Sequence, residues 1–252
     1  MKMMLPRRIA IAFLALAAVS CSVRNVGCGV PEPLKPQVND ADAAATTPGG
    51  AETGDPTTSG PRPISIVFLG DSLTAGLGLL SQQAFPALIE DKFADEGYHV
   101  EVVNAGVSGD TSAGGLRRLE QFLGARTRIL VLALGANDAL RGLSVTQTRE
   151  NLSGIVRAAL QKGIQVVVCG MEAPTNYGED YRAAFREVYL KVGLEFGNKI
   201  VSVPFLLEGV AGNPTLNQTD GIHPNEAGAR AIAELLYPRI RMVVDSIGGG
   251  GG

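Results

Sequence analysis

Between residues 63 and 244, short apolar runs alternate with longer helical stretches, and this order limits the chain to few folds. The runs are "ISIVFL" (64–69), "HVEVVN" (99–104), "RILVLAL" (128–134), "IQVVVCG" (164–170) and "KIVSVP" (199–204). Between and after them lie stretches with helical spacing of apolar positions: 82–96, 112–122, 144–163 (a loop and a helix), 179–197 and 223–244. Such alternation predicts an α/β domain with a parallel central sheet covered on both faces. The third run is almost wholly apolar and should form a central strand buried on both sides. In open sheets of this kind ligands bind beyond the carboxyl ends of the strands. Four glycine-containing segments, "GDSLTAG", "NAGVSGD", "GAND" and "GMEAPTNYG", follow four of the strands and should converge on that rim.

The residues before position 63 do not belong to this core. Lys2, Arg7 and Arg8 precede the apolar run Ile9–Val19, so residues 1–20 read as an export signal. That run is too short to span a bilayer comfortably. It ends in "LAAVSC", which resembles a bacterial lipoprotein signal and makes Cys21 the expected lipidation site. Residues 21–62 are rich in Pro, Ala, Thr, Gly and Asp, with almost no large apolar side chain to offset the entropy of ordering. They are expected to be a flexible tether, and 245–252 a disordered glycine tail. The expected location is therefore the periplasm or a lipid anchorage in the cell envelope, with a monomeric domain. Three cysteines do not make a disulfide framework, and Cys169, inside a strand, reads as a buried inert thiol. A formal net charge of -3 and the absence of tryptophan give no reason to expect nucleic acid as a partner.

Ser72 in "FLGDSLTAGLGL" poses the functional question. The segment follows a strand, but it is neither G-x-G-x-x-G nor a G-K-[ST] loop, so no nucleotide cofactor is expected. Two histidines, His99 and His223, and no paired cysteines give little to hold a metal; Asp71, Asp110, Asp138 and Asp220 at loop ends are the only candidate set. A nucleophilic role needs a base. "TDGIHPNEAG" supplies His223, with Asp220 three residues earlier. A tight turn there can set the carboxylate against one imidazole nitrogen and leave the other free for a serine hydroxyl. Pro224 suits the first turn of the closing helix, and His99, at a strand start, reads as structural. Attack on an acyl carbon also needs donors for an oxyanion. The backbone N–H of Ser72, that of Gly109 and the side-chain amide of Asn137 could supply them, although Gly and Asn after a strand are also common turn residues. Asp71 reads as a structural partner of loop N–H groups, since its charge would oppose an oxyanion.

Taken together, "GDSLTAG", "NAGVSGDT", "LGAND" and "DGIHP", in this order, resemble the blocks of the GDSL-type or SGNH hydrolase superfamily. "GDSLTAGLGL", "NYGEDYRAAF" and "PFLLEGVAG" look like its bacterial arylesterase and type I thioesterase/lysophospholipase subgroup; Thr175 after Pro174 departs from the two adjacent prolines usual there. The resemblance implies a flavodoxin-like three-layer α/β/α fold. It implies Ser72 as nucleophile, Asp220 and His223 as its partners, and Ser72, Gly109 and Asn137 as the oxyanion hole. It implies hydrolysis of carboxylic esters, thioesters or lysophospholipids through an acyl-enzyme, with no cofactor or metal. Leu73, Leu77, Pro174, Phe205 and Leu206 are the expected acyl pocket. Carbohydrate O-deacetylation on the same fold, or a non-catalytic binding protein, are the alternatives.

Overall fold

The computed structural model describes residues 63–248. The expected export signal, Cys21, the tether and Gly249–Gly252 lie outside the described residues. Five strands form one sheet: β1 (Ile64–Gly70), β2 (Val100–Gly106), β3 (Thr127–Ala133), β4 (Gln165–Cys169) and β5 (Ile200–Val203). Their order is β2-β1-β3-β4-β5 and every pairing is parallel. This is the flavodoxin-like order, and the direction of winding reverses between β1 and β3.

The alternation of side chains along β1 and β3 explains the layers. Ile66, Phe68, Ile129 and Val131 point to one face, where they meet Phe85, Ile89 and Phe93 of helix α2 (Phe85–Asp95) and Ile232, Leu236 and Ile240 of helix α7 (Glu226–Ser246). Val67, Leu69, Leu130 and Leu132 point to the other. There they meet Leu152, Ile155 and Val156 of α5 (Val145–Gln161) and Val188 and Val192 of α6 (Gly178–Phe196), next to α3 (Ser112–Arg118). Both faces of the central strands are sealed, which is why β3 reads as one apolar run. The fold is therefore a three-layer α/β/α sandwich.

Two further helices, α1 (Ser72–Ala75) and α4 (Ala136–Leu140), are single turns on the carboxyl rim. Neither shows helical periodicity in the sequence, because so short a helix has no room for one. Their positions are set by packing and side-chain bonds. Gly106, the last residue of β2, lies so close to α1 that a Cβ there would stand 2.3 Å from the Ala75 nitrogen.

The closing helix departs from the sequence reading at both ends. It starts at Glu226, with Asn225 as its N-cap accepting from the N–H groups of Ala227 and Gly228. Pro224 is thus not in the first turn; it lies two positions before the helix and forms an isolated bridge with Asn217. The asparagine wins because its side chain satisfies two helix-start donors and a proline ring satisfies none. The helix also runs to Ser246, past the expected end at 244. Likewise 112–122 is not one helix: α3 stops at Arg118 and a single tight turn, Leu119–Gln121, follows.

Candidate active site

Ser72 opens α1 directly after β1. Asp71 caps that turn, its Oδ1 accepting from the Leu73 N–H at 3.0 Å. As the first helical residue, Ser72 has an N–H with no acceptor inside the helix. The serine hydroxyl meets His223, which arrives on the loop before α7: Nε2 is 2.9 Å from Oγ. On the other side of the ring Nδ1 is 2.6 Å from Asp220 Oδ2. The carboxylate's second oxygen accepts from the backbone N–H groups of Ile222 (2.9 Å) and His223 (3.0 Å). Those bonds to backbone and imidazole hold the Asp220 carboxyl down at about 2. An ionised Asp220 can only accept, so the imidazole proton belongs on Nδ1, and Nε2 presents its lone pair to the serine.

The His223 loop is pinned by a residue the motifs do not include. Gln218 Nε2 donates to Leu77 O (2.6 Å) and to Pro224 O (3.0 Å), and the Gln218 N–H donates to His223 O at 2.8 Å. One side chain therefore ties the loop carrying His223 to the loop after Ser72. Nothing local in the sequence marks Gln218 for this.

The two other expected oxyanion donors follow β2 and β3, the strands on either side of β1. Gly109 is the third residue of a turn closed by the Asp110 N–H bonding to Val107 O, at φ 79°, where glycine is favoured. Arg141 holds its carbonyl, with Nη2 at 2.8 Å. Asn137, in α4 after β3, donates from Nδ2 to Asp71 Oδ2 at 3.2 Å. Because a carboxylate only accepts, this bond fixes which end of the Asn137 amide is nitrogen. One N–H is held by Asp71, and the second has no partner among the described residues. Asp138, next in sequence, is buried; its carboxylate accepts from Ser112 N, Ser112 Oγ and Thr148 Oγ1, locking α4 to α3 and α5.

Ser72, Gly109, Asn137 and His223 share a cavity of about 810 Å³ that straddles the point between β1 and β3 where the winding reverses. Leu73, Leu77, Pro174 and Phe205 line it as expected. Leu206 does not. It is fully buried in the core, and its neighbour Leu207 lines the cavity instead. Met171, Ala173 and Leu140 add to the apolar wall. His99 lies away from the cavity; it is exposed, and its carbonyl accepts from Ile64 N. Cys169 is fully buried, and burial pushes its thiol up to about 12, far from a reactive thiolate.

Residues 68–231 match the family described as GDSL-like Lipase/Acylhydrolase. The chain belongs to this family. It is a carboxylic ester hydrolase of the serine type, acting on small esters. Among family relatives, Esterase TesA of Pseudomonas aeruginosa is 42% identical over 178 residues, covering 70% of this chain and 88% of that protein. Thioesterase 1/protease 1/lysophospholipase L1 of Escherichia coli K12 is 36% identical over 182 residues, covering 72% and 85%. Of solved structures, TesA superposes with a TM-score of 0.67 at 41% identity, covering 71% of this chain and 99% of the other. A psychrotrophic esterase EstA from Pseudoalteromonas sp., inhibited by monoethylphosphonate, also gives 0.67, at 30% identity, covering 72% and 99%.

Asp71 carries a testable cost. It is fully buried, and desolvation raises its pKa from 3.8 to about 6 despite the bonds from Leu73 and Asn137. A carboxyl whose pKa is higher folded than unfolded binds extra protons in the folded state. Below about pH 4 the carboxyl is protonated and carries no penalty, and stability is lost as pH rises from about 4 through about 6. Asp71→Asn should remove that loss. We expect the variant to be more stable than wild type at pH 7 by on the order of 2–3 kcal/mol, and equal to it near pH 3.5. Urea titrations at the two pH values check this. Activity should move the other way, because an amide facing Asn137 no longer dictates that residue's orientation; a kcat about tenfold lower is expected.

Proposed function

We propose that Ser72, His223 and Asp220 carry out ester hydrolysis through a covalent acyl-enzyme. The observation that supports this is the continuous chain from Asp220 Oδ2 through both imidazole nitrogens to Ser72 Oγ, at 2.6 and 2.9 Å, opening into the cavity. His223 takes the serine proton as Oγ attacks the carbonyl carbon. The N–H groups of Ser72 and Gly109 and the free N–H of the Asn137 amide receive the oxyanion. His223 then protonates the leaving alcohol or thiol, and deprotonates the water that releases the acid. Asp220 stays ionised and stabilises the imidazolium between these steps.

The substrate we infer is a short to medium acyl or aryl ester of lipid-like character. The cavity volume suits it, and leucine, phenylalanine, methionine and proline side chains dominate the wall. The names of the relatives extend the range to thioesters and lysophospholipids. We place the protein outside the cytoplasm, on the strength of the export-signal pattern at residues 1–20, with Cys21 as the anchor residue.

A fluorophosphonate probe tests the nucleophile. Phosphonylation should stop p-nitrophenyl butyrate turnover with one adduct per chain, and peptide mass should place it on Ser72. An adduct on another residue, or full turnover by the labelled enzyme, would discard the assignment. Pre-steady-state mixing with the same ester should release p-nitrophenol in a burst equal to the enzyme concentration when deacylation is slower than acylation.

A further inference from the structure

The cavity opens among exposed apolar side chains on the carboxyl rim, half of which lie outside its wall. Leu77, Leu80, Val107, Leu140, Leu143 and Ile222 are each 40–60% exposed. They come from the loops after β1, β2 and β3 and from the loop that carries His223. All of these loops lie at the carboxyl rim. Leu77, Leu140 and Ile222 also form part of the cavity wall, so these side chains and the mouth are continuous. Three other large aliphatic side chains are exposed among the described residues: Leu190 and Leu194 on α6, and Met242 on α7. Exposed apolar surface is thus concentrated where the site opens. A contiguous patch of this kind on a monomer marks an interaction surface.

The geometry points to a neutral or zwitterionic lipid surface as the partner that covers these side chains. The proposal rests on the reading of the site as a hydrolase for lipid-like esters. A patch around a mouth, built from separate loops, offers no sheet edge or groove to an extended peptide. A second copy seated on it would close the cavity to substrate. A lipid surface buries the same side chains and delivers an acyl ester to the mouth. The charges argue against an anionic surface. Lys92 and Lys162 close α2 and α5, and Lys199 precedes β5, which puts them at the opposite edge of the sheet; Lys191 is paired with Glu187 on α6. Around the mouth, Glu172 faces Arg186, Asp220 faces His223, Arg182 is paired with Glu179, and Arg141 is turned to the Gly109 carbonyl. Among the described residues no surplus of cations faces outward there to meet anionic headgroups.

The chain preceding the domain permits this orientation. It enters at Ile64, the start of β1 and the edge opposite the mouth. Residues 22–62 separate Cys21 from Pro63. A segment of that length spans about 140 Å when extended, against about 40 Å for the diameter of a domain of this size. A lipid on Cys21 would not hold the mouth away from the surface.

The test uses the mature chain, starting at position 21 and carrying Cys21→Ser, so that neither the export signal nor a lipid contributes, with and without Leu80→Gln, Val107→Thr and Leu143→Gln. These three residues lie outside the cavity wall. The parent should float with phosphatidylcholine vesicles, and the triple variant should need roughly tenfold more lipid, or more, for half-binding. Turnover of monomeric p-nitrophenyl acetate should agree within about twofold between the two. Hydrolysis of micellar lysophosphatidylcholine should fall with the vesicle affinity. Absence of binding by the parent, equal binding by both, or binding only when anionic lipid is added would overturn the proposal. So would a parent dimer, seen by sedimentation, that the substitutions dissolve without changing vesicle affinity. Loss of all ester turnover in the parent would instead overturn the hydrolase reading beneath it.

Discussion

Ser72→Ala is expected to lower kcat/KM on p-nitrophenyl butyrate by roughly 10⁴- to 10⁶-fold, while the protein remains folded. The size follows from what the hydroxyl does. In the proposed mechanism its oxygen forms the acyl bond, and its loss leaves only water as nucleophile, with no covalent route. What survives is the catalysis available from the oxyanion donors and from binding alone. The stability cost should be small. Ser72 is half-buried at the rim, and its hydroxyl makes one bond, to His223. The helix cap beside it belongs to Asp71 and stays intact. A melting temperature within a few degrees of wild type, with turnover at the background rate, is the expected pair of results. Folded Ser72→Ala protein that kept more than about a tenth of wild-type kcat/KM would show that another group forms the acyl bond.

How much of this was legible in the sequence depends on the range over which each feature is determined. Both faces of the central strands are buried, so β3 announces itself as an apolar run and lands within one residue of its expected bounds. The parallel sheet follows from alternation alone. The site blocks are legible because each is a local turn with its own glycine or cap. Features set by contacts between distant segments are not. Gln218 meets Leu77 across most of the domain's sequence, and no local pattern encodes that bond. Leu206 and Leu207 are adjacent and chemically alike; which one turns into the cavity is decided by the backbone after β5. Asp71 was legible as a loop-bonding residue. Its bond to the Asn137 amide joins the ends of β1 and β3, and only the sheet order brings those ends together.

That bond gives Asn137 a structural job beside the chemical one we propose for it. Asn137→Ala should lower kcat by roughly 100- to 1000-fold, with a much smaller change in KM. On the proposed mechanism the amide serves the position where charge appears, and a donor there gains strength only as the carbonyl oxygen becomes an oxyanion. The backbone under it is firm. Asp138 ties α4 to α3 and α5, and Tyr189 Oη fixes the Leu134 carbonyl just before it. The same substitution also takes a donor away from the buried Asp71 carboxylate, which should cost about 1–2 kcal/mol at pH 7. A loss of activity could then be blamed on a disturbed rim. The double variant Asp71→Asn/Asn137→Ala separates the two causes. With no carboxylate left to desolvate, it should recover the lost stability, but it should stay as slow as Asn137→Ala because the oxyanion donor is still missing. Recovery of both stability and kcat in the double variant would mean that Asn137 serves only to quiet Asp71. Asn137→Asp should be at least as slow as the alanine variant, since it sets a negative charge beside Asp71 and opposite the developing oxyanion. Urea titrations and steady-state kinetics of the four proteins on one ester, at pH 7, distinguish these outcomes.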